Sequence, residues 1–282
     1  MSSSDTEHKS HQHAGNRCPV AGKHGFCPPQ ATDSRSPCPA LNTMANHGYI
    51  NRDGKNISSW SIQRGLKACY GLSTPLALFL TYVGFAMLKR VRPIDLFEIG
   101  KHNVIEHNAS LVHHDTPEGQ EFAPIGIDQG LVDDLMNDVK PEKEGGVNAK
   151  SGESLMNAID VARARIRREK DCKPVDSVHQ EIARGEMAII LGVWETSTKD
   201  KVGIPAEWMR RWIGHEKLPD DWKPTHKQGL LDTIQRSKAI RTAMEEMRNT
   251  EGSSATSPTP SASNSLEKVP STTPSESARA KL

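Results

Sequence analysis

Three short segments carry side chains able to do chemistry. In Ser36-Pro37-Cys38-Pro39 a cysteine sits between two prolines, and both rings restrict the backbone around the sulfur. A thiolate that ligates a metal needs such a fixed approach, with amide donors or a helix N-terminus to keep it deprotonated. In Ile105-Glu106-His107-Asn108-Ala109-Ser110, Glu106 and Ser110 stand four apart, a spacing that predicts one face of a helix. In Ala183-Arg184-Gly185-Glu186-Met187-Ala188-Ile189-Ile190-Leu191 a single carboxylate, Glu186, abuts an apolar run. Desolvation there would raise its pKa toward a range useful for moving protons. Glu181 and Glu195 are the nearby competitors for that role.

Two further Cys-Pro pairs, Cys18-Pro19 and Cys27-Pro28, precede the first segment without the polar stretch that follows Cys38. Five cysteines in a chain of this length argue against a disulfide framework and agree with a reducing compartment. His8, His11, His13 and His24 lack the spacing of a structural metal site.

The elements that must position these groups read as helices. Leu155, Ile159, Ala162 and Ile166 recur at helical spacing opposite Arg163, Arg167 and Lys170; Leu230, Ile234, Met244 and Met247, and the group Trp208, Met209, Trp212 and Ile213, make two further stripes. Gly145-Gly146 predicts a loop between helical blocks. No alternating run suggests an extensive sheet, so the fold class is all-α. Residues 1–36, rich in Ser, His, Gly and Pro, are predicted to be a mobile arm, 37–248 a single domain, and the Ser/Thr/Pro-rich 249–282 a disordered tail.

Thirty-six Lys plus Arg face 35 Asp plus Glu, which gives no field for collecting nucleic acid. The polar N-terminus has no apolar h-region, so an intracellular protein is expected. Gly71–Leu88 is uncharged and is followed at once by Lys89, Arg90 and Arg92; a core helix and peripheral membrane contact through 71–88 are both compatible with it.

The stretch PCPALNTMANHGYINRDG, residues 37–54, resembles the signature of the haem-thiolate peroxidases, the family of the chloroperoxidases and the short unspecific peroxygenases. The resemblance extends through the Glu106 segment and Glu186 to WIGHEKLP at residues 212–219, spans Ser36 to Pro224, and covers neither tail. It implies a mainly helical domain holding haem b, with Cys38 as the axial iron ligand and Asn42, Asn46, His47, Gly48, Arg52, Asp53 and Gly54 as scaffold. It implies catalytic roles for Glu186 and His107 on the other side of the haem, where a proton must pass between the oxygens of hydrogen peroxide. Glu106, His107 and Ser110 would hold Mg2+ or Mn2+ beside a haem propionate, as hard oxygen ligands allow. Asn108 stands where the family usually has Asp, which weakens the support for a protonated His107.

The expected activity is peroxide-driven oxidation or oxygenation of a small aromatic or apolar substrate, with halide oxidation ranked lower. The apparent absence of a signal segment resembles intracellular members attached to fungal secondary metabolism. Two other classes fit the same residues: a non-catalytic haem sensor or carrier, and a membrane-associated helical interaction protein.

Overall fold

In the computed structural model, which describes residue 18 and residues 22–140, 154–197 and 202–255, most helices begin where the sequence supplies a cap. Helix α1 (Pro39–Asn46) has proline at its first position, where the missing N–H leaves no bond unmade. Ser58 accepts from the Ser61 amide to open α2 (Ser59–Tyr70), which stops at Gly71 in the left-handed conformation. Ser73 opens α3 (Thr74–Met87), and Asp128 opens α4 (Gln129–Asp138). Asn157 and Asp160 cap each other's backbone at α5 (Ala158–Asp171), and Asp176 accepts two amides at α6 (Ser177–Trp194). Helices α7 (Ala206–His215) and α8 (Leu230–Ala255) complete the set.

Among the described residues the sheet content is small, as the all-α expectation requires. Strands β1 (Leu155–Met156), β2 (Thr196–Ser197) and β3 (Val202–Pro205) pair antiparallel in the order β1-β3-β2, with Met156 opposite Ile204 and Thr196 opposite Gly203. Helix α8 packs against α5 and α6, and α2 packs against α3. The core between them includes Trp194, Leu76, Leu135 and Met44, all at most 1% exposed. Burying each such side chain stabilises the fold by roughly 1.5–3 kcal/mol.

The packed body starts earlier than the composition suggests. Residues 22–36, expected to be part of a mobile arm, lie against the end of α1: Arg35 and Ser36 are buried, and the Cys27 amide donates to the Asn46 carbonyl at 2.9 Å. The polar backbone of this segment finds internal partners, which composition cannot show. Cys18 and Cys27 form a disulfide across it, contrary to the expectation of reduced cysteines; Cys38, Cys69 and Cys172 are free thiols.

Two helical faces also differ from the sequence reading. Leu155 belongs to β1, and Ile159 is half-exposed. The buried face of α5 carries Val161, Ala162, Arg165 and Ile166, because guanidinium groups with partners can join an apolar face. On α8, Ile240 and Met244 are buried and Ile234 is half-exposed. Gly145-Gly146, the first three arm histidines and the tail beyond Ala255 lie outside the described residues.

Candidate active site

The sulfur of Cys38 stands at the N-cap of α1, with the Leu41 and Ala40 amides close enough to donate to it. Burial pushes the thiol up to about 12, while those two amides pull the other way and Glu186 adds to the rise. Without a cation the group is therefore a protonated thiol. The amides are placed to stabilise negative sulfur, and a coordinated metal would complete the deprotonation.

Behind the sulfur, the polar residues of the motif bind one another rather than the cavity. Asn42 donates to the Ser36 carbonyl at 2.7 Å and to Glu216 at 2.6 Å, and accepts from the Ser36 amide at 3.0 Å. Arg35 donates to Asn46 Oδ1 at 2.8 Å and to the Arg52 carbonyl at 3.0 Å. Arg52 in turn donates to the Asn46 carbonyl at 2.6 Å. His47 Nδ1–H donates to the His24 carbonyl at 2.9 Å, which leaves Nε2 to accept from the Leu218 amide at 3.1 Å. Gly54 has φ +67°, and a Cβ there would lie 2.0 Å from the Ser34 carbonyl oxygen. The motif is thus a clamp that fixes α1 to residues 22–36 and to the turn after α7. From the other side Tyr70 Oη donates to the Ala40 carbonyl at 2.8 Å and accepts from Trp212 at 3.2 Å.

Cys38 faces a cavity of about 320 Å³ whose walls come from α1, α2, α3, α5, α6, α7 and the segment before α4. Most of the lining is aliphatic or aromatic, including Leu66, Phe85, Ile190 and Trp194. Glu106, His107, Ser110 and Glu186 line the same cavity, so four residues chosen from two separate segments share one space with the thiol. Ala183, Glu186, Met187 and Ile190 form the α6 face toward it.

Residues 101–113 are not the expected helix but an irregular segment crossed by two isolated bridges. Ala109 there has φ +61°, a conformation that costs a β-carbon residue roughly 1 kcal/mol. Its N–H donates to Asp115 Oδ1 at 2.8 Å, and Arg165 donates to its carbonyl at 2.7 Å. Glu106 and Ser110 therefore reach the cavity through a loop. Glu106 pairs with His102 Nδ1 at 2.7 Å. The Ser110 hydroxyl accepts from the Val112 and His113 amides at 3.3 and 3.2 Å.

His107 Nδ1–H donates to the Asn108 main-chain carbonyl at 2.7 Å, and its Nε2 faces Glu186 Oε2 at 3.7 Å. Burial of the ring works against protonation, but Glu186 and the Asn108 carbonyl outweigh it, so the pKa is raised. The support that Asn108 cannot give through a side-chain carboxylate comes from Glu186 on α6. The Glu186 side chain is 55% exposed, opening onto the cavity instead of being desolvated by the apolar run as expected.

Three further groups escaped the sequence reading. His113, 3% exposed, lines the cavity with its Nε2 buried and unpaired; burial holds it down to about 4. Arg165, 2% exposed, also lines it, donating to Glu169 at 3.0 Å while its Nε has no partner. Its position between Ala162 and Ile166, on the apolar face of α5, was the available signal. His179 on α6 packs its ring 6.1 Å from that of His107 and is held by Asp176 at 2.6 Å. An apolar cavity with one thiol on amide donors and a few unpaired buried nitrogens fits a flat, mostly apolar metal macrocycle with a polar edge.

The profile of the family described as "Peroxidase, family 2" matches residues 24–227, a span that contains every cavity residue named above. The chloroperoxidase of Leptoxyphium fumago is 22% identical over 214 residues, 69% of this chain and 55% of that protein. The dothistromin biosynthesis peroxidase dotB of Dothistroma septosporum is 46% identical over 68 residues, 24% of this chain and 16% of that protein. The aromatic peroxidase fscJ of Fusarium equiseti is 45% identical over 67 residues, 23% of this chain and 15% of that protein. The match to the chloroperoxidase thus spans about half of that protein's length.

Proposed function

The chain belongs to peroxidase family 2, and from that membership we propose that it is a haem-thiolate peroxidase or peroxygenase, using hydrogen peroxide to oxidise or oxygenate a small organic substrate. The observation that carries this reading is the shared cavity, in which the Cys38 sulfur and the His107–Glu186 pair face one space. Haem b, when bound, supplies the iron chemistry that consumes peroxide. Cys38 would hold its iron, and His113 and Arg165 would meet its polar edge. In this reading Glu186 would take a proton from one peroxide oxygen and return it to the other, and His107 would hold that carboxylate in position. Glu106 and Ser110 offer oxygens for Mg2+ or Mn2+ at the cavity wall.

The apolar lining excludes water and suits an aromatic or aliphatic substrate. The names of two relatives, a dothistromin biosynthesis peroxidase and an aromatic peroxidase, support an aromatic compound of secondary metabolism. The working unit takes in residues 22–36 together with 37–248, because the former clamp the helix that presents Cys38.

Glu186→Gln keeps the size and removes the acid/base. Peroxide-dependent turnover should fall on the order of 10²–10⁴-fold with haem content unchanged. Turnover equal to that of the wild type would reject the role of Glu186.

A further inference from the structure

Helix α3 is apolar on two sides. Its inner face, Leu80, Thr81, Gly84, Phe85 and Leu88, lines the cavity. Its outer face presents Pro75, Phe79, Tyr82, Val83 and Ala86, spaced four, three, one and three apart as one helical stripe. Phe79 is 49% exposed, Tyr82 58% and Val83 39%. A surface helix normally turns charged or polar residues outward, yet no charged residue occurs between Gly71 and Leu88. Charge begins where the helix ends. Lys89, Arg90 and Arg92 are exposed, with a fully exposed Val91 between the two arginines. The buried Glu98 carboxylate takes Arg90 at 2.7 Å and Arg92 at 3.8 Å, so one carboxylate is shared by two of the three cations of the 89–92 corner, which carries no acidic residue of its own.

We propose that the outer face of α3 and the Lys89–Arg92 corner form a docking surface for an anionic lipid bilayer, on which the protein lies without crossing. Among the described residues no helix is long and apolar enough to span a membrane. An aromatic and aliphatic stripe beside a basic cluster is the composition that inserts at the headgroup boundary and is drawn there by acidic lipids. The phenol of Tyr82 suits a position with one end apolar and the other wet. Acidic lipid fits this patch better than a second copy of the chain, because an identical patch would bring like charges together. Docking in this orientation sets one wall of the cavity against the bilayer, where apolar substrates concentrate.

The test is co-sedimentation of the full-length, haem-loaded protein with phosphatidylcholine vesicles and with phosphatidylserine-rich vesicles, at low and high salt. The wild type should bind the acidic vesicles and release at high salt. The exposed triple variant F79S/Y82S/V83S should lose at least about tenfold in binding, and K89Q/R92Q roughly fivefold per charge, both with unaltered haem absorption and helical content. Failure of the wild type to bind acidic vesicles would overturn the proposal, as would triple-variant binding equal to the wild type. Light scattering that shows a dimer abolished by the triple substitution, without vesicle binding, would assign the face to a second copy instead.

Discussion

Lowering the pH should unlock the clamp behind Cys38 through His47. Its ring is satisfied only as the neutral form, since Nδ1–H donates to the His24 carbonyl and Nε2 must accept from the Leu218 amide. Burial, the largest influence, together with the nearby Arg52 and Lys217, holds it down to about 4 despite the His24 carbonyl. The unfolded chain therefore binds this proton below about 6.5 while the folded protein refuses it. Stability from this group is fully present above 6.5 and is lost as pH falls toward 4. The gap between 6.5 and about 4, at about 1.4 kcal/mol per pH unit, comes to roughly 3 kcal/mol. Urea unfolding of the wild type and His47→Gln, followed from neutral pH down to about 4, the folded-state value, isolates the contribution. His113, which titrates in the same window, cancels in the difference. Near neutral pH the variant should be less stable, and the difference should shrink by roughly 3 kcal/mol on acidification. Parallel stability curves would refute the reasoning.

Asn42→Asp removes the donors to the Ser36 carbonyl and to Glu216 and sets a second carboxylate 2.6 Å from one that burial already raises. A stability loss of roughly 3 kcal/mol or more at neutral pH is expected from urea unfolding, easing on acidification. Gly192→Ala would place a Cβ 2.1 Å from the Gln228 side chain, which is buried and donates to Thr233 at 3.0 Å. Thermal unfolding should show a loss of roughly 1–3 kcal/mol, whereas a gain would mean that helix propensity dominates at that position.

What the sequence makes legible is chemistry that repeats along a short stretch. The Pro-Cys-Pro turn and the polar run behind it identify Cys38 as the group to place, and the apolar stripe through Met209, Trp212 and Ile213 is the buried face of α7. Long-range pairing is harder to read. Nothing local joins Asn42 to Glu216, Arg165 to the Ala109 carbonyl or His47 to Leu218. Spacing alone placed Glu106 and Ser110 on a helix, but the left-handed Ala109 between them breaks it. Low hydrophobicity suggested a mobile arm through residue 36, because composition weighs apolar burial and not the buried hydrogen bonds of Arg35 and Ser36. The counting of cysteines missed the Cys18–Cys27 bond, since oddness excludes only a complete pairing.

The central claim is that the Cys38 sulfur is the iron ligand in the cavity it faces, and the spectrum of the ferrous carbon-monoxide complex tests it most directly. Wild-type protein reconstituted with haem b should show the strongly red-shifted Soret band of a thiolate-ligated haem, and Cys38→Ala should lack it. A wild-type spectrum without that band, or one unchanged in Cys38→Ala, would contradict the assignment.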